Sequence, residues 1–134
     1  GASVSYFARS EKEWAKEKGY EFKPLKEVLS ENEVIFCCLN KNTVLLHEEE
    51  ISQLGQHKIL FNTGLSPAWD EPALLHWLDS GDNRLYCDTV GALGGAHLTQ
   101  HTKVRCMNVS TGRTKQAFDR LSEKVLANIR NFLG

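Results

Sequence analysis

Polar side chains follow two apolar segments of this sequence, where they could hydrogen-bond a ligand. Asn62-Thr63-Gly64 comes directly after the apolar residues 59–61, and Asp88 comes directly after the apolar residues 85–87. In a sheet of parallel strands, ligands bind at the carboxyl ends of the strands. The chemistry expected of these residues is therefore ligand binding at one edge of a parallel sheet.

The residues between these two positions have the start and stop signals of a helix. Asp70 is placed to cap a helix, Glu71 favours its positive end, and Pro72 stands in the first turn, where a missing N–H is tolerated. Gly81 is placed to end it. Two apolar strands joined by such a helix predict an α/β fold with a parallel sheet covered by helices.

Other segments alternate between apolar strands and short helices. We expect a helix over 11–18 that is capped by Ser10, a helix over 47–54, and a fully buried strand over 34–39. Further along, the glycine-rich residues 89–103 are expected to form a loop.

The last part of the chain has the apolar spacing of a helix. Within residues 113–133, apolar side chains recur every three or four positions, which predicts a C-terminal amphipathic helix. A short strand over 104–107 is expected before it.

Composition excludes several classes of function. The 134 residues correspond to one domain, and 16 basic against 17 acidic residues give a net charge of −1, so no net field attracts nucleic acid or an anionic membrane. No apolar run approaches ~20 residues, and no leader pattern opens the chain. We therefore expect neither a membrane span nor secretion, and we assign the protein to the cytoplasm.

Residues 62–88 resemble part of the coenzyme-binding domain of the D-isomer-specific 2-hydroxyacid dehydrogenase family. That family has a strand ending in Asn-Thr-Ala-Arg-Gly, a Val-Asp-Glu helix start, a Ser-Gly stop and a strand ending in Asp. The matching residues here are Asn62 to Ser66, Trp69-Asp70-Glu71, Ser80-Gly81 and Asp88. The resemblance extends more weakly from Gly1 to the last helix. It implies that residues 1–134 form a Rossmann-like, NAD(P)-binding domain with a parallel sheet flanked by helices.

One element of such a domain does not occur in this sequence. Dinucleotide folds hold the pyrophosphate with a Gly-x-Gly-x-x-Gly loop after the first strand, which is central in the order 3-2-1-4-5-6. If residues 1–4 match the entry into the second strand, the first strand and its loop are lacking, and two sheet pieces with unpaired edges result. We therefore expect a partial domain, which is either a fragment of a longer protein or a chain completed by a partner. The alternative is a smaller sheet and a different alignment at Gly1.

The resemblance also implies individual coenzyme contacts. Arg9 and Ser10 match the position where family members that take NADP hold the 2′-phosphate, and Ala8 cannot bind a ribose diol, so NADP is preferred over NAD. The alternative for Arg9 is an exposed residue before a helix cap. The other candidate contacts are Leu39 and Asn40 near the adenosine ribose, Asn62, Thr63 and Gly64 beside the nicotinamide, and Asp88 at its carboxamide.

The catalytic side chains of the family are absent at the matching positions. The Arg that clamps the substrate carboxylate corresponds to Leu65, the Glu to Leu93, and the His to Asn108 or Val109. A leucine offers no hydrogen bond and transfers no proton, so we expect this chain alone to be inactive as a dehydrogenase.

The histidines and cysteines allow two further interpretations. His97 and His101 could replace the missing proton donor, or they could ligate a metal together with Cys106, but no helix sets their spacing and we predict no metal site. The four cysteines, which are Cys37, Cys38, Cys87 and Cys106, form no CxxC pair, and we expect them to be buried structural thiols.

Two functions therefore remain open. The first is the coenzyme-binding part of an oxidoreductase that acts on 2-hydroxy or 2-oxo acids. The second is a non-catalytic module that self-associates or binds a partner through its sheet edge and its final helix. The stripe formed by Leu121, Val125, Ile129 and Leu133 lacks a cover in this sequence, which favours a homodimer.

Overall fold

The computed structural model describes residues 1–134 and contains parallel β-strands that alternate with helices. The strands are β1 (Ser5–Tyr6), β2 (Glu21–Phe22), β3 (Val34–Cys37), β4 (Ile59–Asn62), β5 (Arg84–Cys87) and β6 (Val104–Cys106). The helices are α1 (Glu13–Glu17), α2 (Leu25–Glu31), α3 (Glu48–Leu54), α4 (Glu71–Asp79), α5 (Val90–Leu93) and α6 (Lys115–Leu133), with a 3₁₀ helix at Ala96–Gln100. The predicted α/β class with a parallel, Rossmann-like sheet is confirmed.

The strands form two separate sheets. β1 pairs only with β2, whereas β3, β4, β5 and β6 form a second sheet in that order, and every pairing is parallel. Neither β1 nor β3 has a partner on its second side. The predicted division into two sheet pieces with unpaired edges is therefore confirmed.

The core lies on one face of the larger sheet. Ile35, Leu60, Leu85 and Val104 are aligned across β3 to β6, and all four are buried. Helices α2, α3 and α4 cover this row with further buried leucines, among them Leu29, Leu54, Leu74 and Leu78. This packed layer fixes the positions of the strand ends, where the candidate ligand-binding residues lie.

The prediction that residues 34–39 form a fully buried strand is wrong for one face. Side chains of β3 alternate, so Ile35 and Cys37 face the core, while Val34 is 44% exposed and Phe36 is 63% exposed. Cys38, which follows β3, is exposed as well, contrary to the expectation of four buried thiols. The physical reason is that no helix of residues 1–134 covers this part of the second face.

Helix α4 has the predicted position, but its ends are stabilised differently. Asp70 is the N-cap residue, yet its carboxylate makes no capping bond and instead lies 2.8 Å from His47 Nδ1. This hydrogen bond raises the pKa of His47 above its usual value. Ser80, not Gly81, is the C-cap residue, and Gly81 follows it, with a built Cβ 3.3 Å from the Gln56 side chain.

Two predicted segments need correction. The helix expected at 11–18 is shorter, because Tyr6 Oη accepts the Lys12 N–H and holds the preceding turn extended, so Ser10 is not its cap. The expected loop at 89–103 contains α5 and the 3₁₀ helix. Thr89 caps α5 by accepting the Ala92 N–H at 3.1 Å, and Gly94, with a φ of 108°, ends it.

The final helix is the longest element and the least covered. α6 begins after Thr114, whose hydroxyl accepts the Ala117 N–H, and none of its residues is buried. Its predicted apolar stripe is present and exposed. None of the helices combines the length and the apolar composition that a membrane-spanning helix needs.

Candidate functional site

The candidate residues of the larger sheet lie at one edge, because the carboxyl ends of parallel strands meet there. The loops after β3 and β4 contact each other: the Asn42 N–H donates to Ser66 Oγ at 2.7 Å, and a Cβ at Gly64 would lie 3.5 Å from the Leu39 carbonyl oxygen. The structure thus brings the Leu39 carbonyl and Gly64 together at this edge of the sheet.

The Asn62 side chain stabilises the loops at this edge of the sheet through three hydrogen bonds. It is buried, its amide donates to the carbonyls of Ser66 and Ala92, and its Oδ1 accepts the Gly64 N–H at 3.0 Å. All of its hydrogen-bonding atoms are therefore engaged inside the protein. Asn62 therefore positions the loop after β4 and the helix α5.

Asp88 combines an anchored oxygen with a free one. Its Oδ2 accepts from both the backbone N–H and the hydroxyl of Thr111, each at 3.1 Å. Asp88 is only 7% exposed, and its Oδ1 atom is buried without a hydrogen-bond partner. A buried carboxylate oxygen without a donor carries a desolvation cost, so Oδ1 has the capacity to accept one further hydrogen bond.

Thr111 is a residue that the sequence analysis missed. It stands in a Ser-Thr-Gly turn, which is a turn signal and carries no sign of a site. The Val109 N–H also donates to the Asp88 carbonyl at 2.7 Å. Asp88 therefore ties the segment before α6 to the end of β5, and its orientation is fixed by two donors of one residue.

Arg9 and Ser10 lie at the end of β1, beyond the smaller sheet. Both are exposed, and Arg9 takes part in none of the ion pairs of the structure. Lys12, which the sequence analysis did not single out, donates from Nζ to Ser10 Oγ at 2.9 Å. Lys12 is therefore the cationic side chain that contacts this hydroxyl, and Arg9 adjoins Ser10 in sequence.

The remaining candidates differ in exposure. Leu39 is partly buried and packs against the core, so only part of its side chain is accessible. Asn40 is exposed, and its carbonyl accepts the Thr43 N–H in a turn. Thr63 is exposed at the end of β4, next to Gly64.

His97 and His101 are not brought together. His97 Nε2 lies 2.9 Å from Glu71 at the start of α4, and His101 Nε2 lies 3.1 Å from Asp79 at the end of the same helix. Cys106 is on β6, and no group of three or more His, Cys, Asp or Glu residues is placed to hold a metal ion. The interpretation of these residues as a joint metal site is therefore not supported.

Buried thiols contribute no chemistry at this edge. Burial raises the pKa of Cys37 to about 12 and that of Cys87 to about 12, so both are protonated and unreactive at neutral pH. Cys106 is intermediate in exposure.

The comparison with protein families identifies the chain. The sequence model described as "D-isomer specific 2-hydroxyacid dehydrogenase, NAD binding domain" matches residues 1–109. The chain therefore belongs to this family, as a Rossmann-like NAD-binding domain. A search of curated proteins finds no match.

Solved structures with the same fold include two dehydrogenases and one reductase. D-lactate dehydrogenase from Aquifex aeolicus, complexed with NAD and lactic acid, has a TM-score of 0.74 and 22% identity, covering 98% of this chain and 46% of that one. The holo form of Rhodotorula graminis D-mandelate dehydrogenase has a TM-score of 0.80 and 20% identity, covering 98% and 41%. A glyoxylate reductase from Paecilomyes thermophila has a TM-score of 0.70 and 20% identity, covering 96% and 41%. The chain spans less than half the length of each.

The residues at the sheet edge fit a dinucleotide of the NAD type. The unpartnered Asp88 Oδ1 has the acceptor chemistry that a carboxamide N–H donor requires, and a Cβ at Gly64 would lie only 3.0 Å from Asn62 Oδ1, so a side chain at this position would crowd the turn after β4. When bound, such a coenzyme supplies hydride chemistry. The chain's own residues bind and orient it.

Proposed function

We propose that this chain forms the nicotinamide and adenosine-ribose sides of an NAD(P) site in an oxidoreductase that acts on a 2-hydroxy or 2-oxo acid. The observation that carries the proposal is the buried, unpartnered Oδ1 of Asp88 at the carboxyl edge of the sheet. A donor on the nicotinamide carboxamide satisfies this oxygen. Backbone atoms of Asn62, Thr63 and Gly64 line the same side of the site.

Coenzyme protection against thermal unfolding tests this function. For the native gene product at a coenzyme concentration of about 100 Kd, we expect roughly 2.7 kcal/mol of added stability and a matching rise of the unfolding midpoint. Differential scanning fluorimetry with NAD⁺, NADP⁺ and free nicotinamide measures it. An unchanged midpoint with both dinucleotides at millimolar concentration would refute a coenzyme site.

NADP is the coenzyme that the β1 end favours. Lys12 contacts the Ser10 hydroxyl, and Arg9 adjoins Ser10 in sequence. Ala8 has no polar side-chain atom, so it cannot accept a hydrogen bond from a ribose diol. A 2′-phosphate carries negative charge and several acceptor oxygens, which suit an arginine and a hydroxyl.

Replacing Arg9 by aspartate tests this preference. Arg9→Asp places a carboxylate where the 2′-phosphate binds, so the ratio of NADPH affinity to NADH affinity should fall by about tenfold or more. Titration of the coenzymes against the native product by fluorescence measures the ratio. Arg130→Asp, which makes the same change on α6, is the control and should leave the ratio unaltered.

We do not propose catalysis by residues 1–134, because the side chains at the catalytic positions of the family cannot perform it. Leu65 is exposed and cannot clamp a carboxylate, while Leu93 is completely buried and cannot exchange a proton. Asn108 and Val109 carry no imidazole. We propose that this chain alone is inactive as a dehydrogenase.

Self-association is the second candidate function, and α6 is the observation that favours it. Its apolar residues, Phe118, Leu121, Val125, Leu126, Ile129, Phe132 and Leu133, are all exposed. An apolar stripe of this length on an otherwise polar helix is typical of a surface that packs against another polypeptide.

Sedimentation tests the association. At micromolar concentration we expect a dimer, and Ile129→Lys should convert it to a monomer because it places a charge in the middle of the stripe. Lys124→Ala, on the polar side of α6, is the matched control. A compact monomer of the unaltered protein would refute the self-association of α6.

A further inference from the structure

Three segments lie side by side at the carboxyl edge of the larger sheet, because β4, β5 and β6 are neighbours in it. The residues that directly follow these strands are 63–68, 88–93 and 107–112. Asp88 is the only charged residue in the three segments, which contain no Lys, Arg, His or Glu. The next cation along the chain is Arg113, which is exposed to solvent. This part of the edge therefore carries one negative charge and no cation to balance it.

Leu65 lies on one side of Asp88. A Cβ at Gly91 would lie 3.5 Å from the Leu65 carbonyl oxygen, and Gly91 belongs to α5, which begins at Val90. The segment after β4 thus packs against the first turn after Asp88. The Leu65 side chain is 69% exposed, so the edge presents a large apolar group to solvent there.

Val109 and Met107 lie on the other side of Asp88. The Val109 N–H donates to the Asp88 carbonyl at 2.7 Å, and the Met107 N–H donates to the Cys87 carbonyl at 3.2 Å. These bonds hold the segment after β6 against the end of β5, while the Val109 and Met107 side chains are 66% and 77% exposed. Apolar side chains therefore adjoin Asp88 from both neighbouring strands.

This edge favours one kind of ligand group over another. An anionic group placed here would meet the Asp88 carboxylate without a cation from the three segments, and like charges at close range repel each other. An apolar group would instead be covered by Leu65 and Val109, which is favourable in proportion to the apolar area removed from water.

We infer that the substrate of the proposed oxidoreductase directs an apolar side chain toward Leu65 and its carboxylate away from this edge. Its class is then a 2-hydroxy or 2-oxo acid with a branched aliphatic or aromatic side chain, and not an acid with a second anionic group. The inference rests on the proposed function and adds the substrate class to it. Leu65 stands where the family resemblance implies an arginine on the substrate carboxylate, so this preference is a departure from the family pattern.

Two 2-oxo acids of similar size test the inference on the native gene product. 2-Oxo-4-methylpentanoate ends in an apolar branch, whereas 2-oxoglutarate ends in a carboxylate. NADP⁺ is bound first, and because it has no hydride to transfer, calorimetric titration with each acid measures binding alone. We expect 2-oxo-4-methylpentanoate to bind at least about tenfold more tightly, as a buried apolar group allows. Equal or tighter binding of 2-oxoglutarate would overturn the inference, and so would binding of neither acid.

A charge at Leu65 tests which part of the substrate faces this position. In Leu65→Arg the preference for 2-oxo-4-methylpentanoate should fall by at least about tenfold, because the guanidinium attracts the second carboxylate of 2-oxoglutarate. Val44→Arg makes the same kind of change at an exposed valine after β3, and it should leave the preference unaltered. If Leu65→Arg binds both acids more tightly by the same factor, the shared carboxylate faces residue 65 and the inference is wrong.

Titration with the coenzymes alone separates this inference from the proposed function. A gene product that binds neither NAD⁺ nor NADP⁺ would refute the coenzyme site, and the inference with it. A product that binds NADP⁺ and prefers 2-oxoglutarate would refute the substrate class alone. Because Leu65 is exposed, the unfolding midpoint of Leu65→Arg should stay within about 2 °C of the unaltered protein, so a changed preference does not reflect misfolding.

Discussion

Replacing Asn62 by leucine should lower the free energy of unfolding by about 3 kcal/mol. Leucine has a similar size but no polar atoms, so the Gly64 N–H and the carbonyls of Ser66 and Ala92 lose their partners inside the protein. Each unsatisfied buried group costs about 1–3 kcal/mol. Urea unfolding of the native gene product, followed by tryptophan fluorescence, measures the change.

Asn40→Leu is the matched control for this prediction. Asn40 also stands just beyond a strand of the larger sheet, but its side chain is exposed and makes no hydrogen bond in the structure. We expect a change within about 0.5 kcal/mol. If Asn62→Leu costs no more than this control, Asn62 does not organise the loops at the sheet edge.

Replacing Asp88 by asparagine should weaken coenzyme binding by about 30-fold, which corresponds to about 2 kcal/mol for a hydrogen bond to a charged acceptor. The Thr111 N–H requires an acceptor, so the carbonyl oxygen of the new side chain replaces Oδ2. The NH₂ group of the new side chain then takes the place of Oδ1. It points at the N–H donor of the carboxamide, so this hydrogen bond is lost. Calorimetric titration with NADPH measures the loss.

The same substitution should leave the protein folded. Asparagine has the shape of aspartate, and it removes a buried charge whose Oδ1 has no partner, so the stability of the unliganded protein should not fall. Asp82→Asn, at an exposed aspartate in the turn before β5, is the control and should leave the affinity unaltered. A loss of stability in Asp88→Asn would indicate that Asp88 only anchors Thr111.

The sequence predicted the elements whose signals are local. The apolar runs before Asn62 and Asp88 and the Asp-Glu-Pro start of α4 depend on strand burial and helix capping, which act within a few residues. The division into two sheets was also predictable, because the position of the resemblance within a known strand order determines which neighbour is lacking.

Features that depend on distant neighbours were not predictable. Asp70 has the residue type of an N-cap, but His47, 23 positions earlier, takes its carboxylate. The apolar composition of β3 indicates burial on both faces, whereas exposure of Phe36 depends on what covers the second face. Thr111 and Lys12 acquire their roles only when the fold brings them to Asp88 and Ser10.

The central claim is that Asp88 Oδ1 accepts a hydrogen bond from the nicotinamide carboxamide, and a coenzyme analogue tests it most directly. The analogue carries a carboxylate in place of the carboxamide, so it offers no donor and adds a negative charge. We predict that the native gene product binds this analogue at least about 100-fold more weakly than the normal coenzyme, and that Asp88→Asn removes most of this difference. Equal affinities for the two coenzymes in the unaltered protein would contradict the claim.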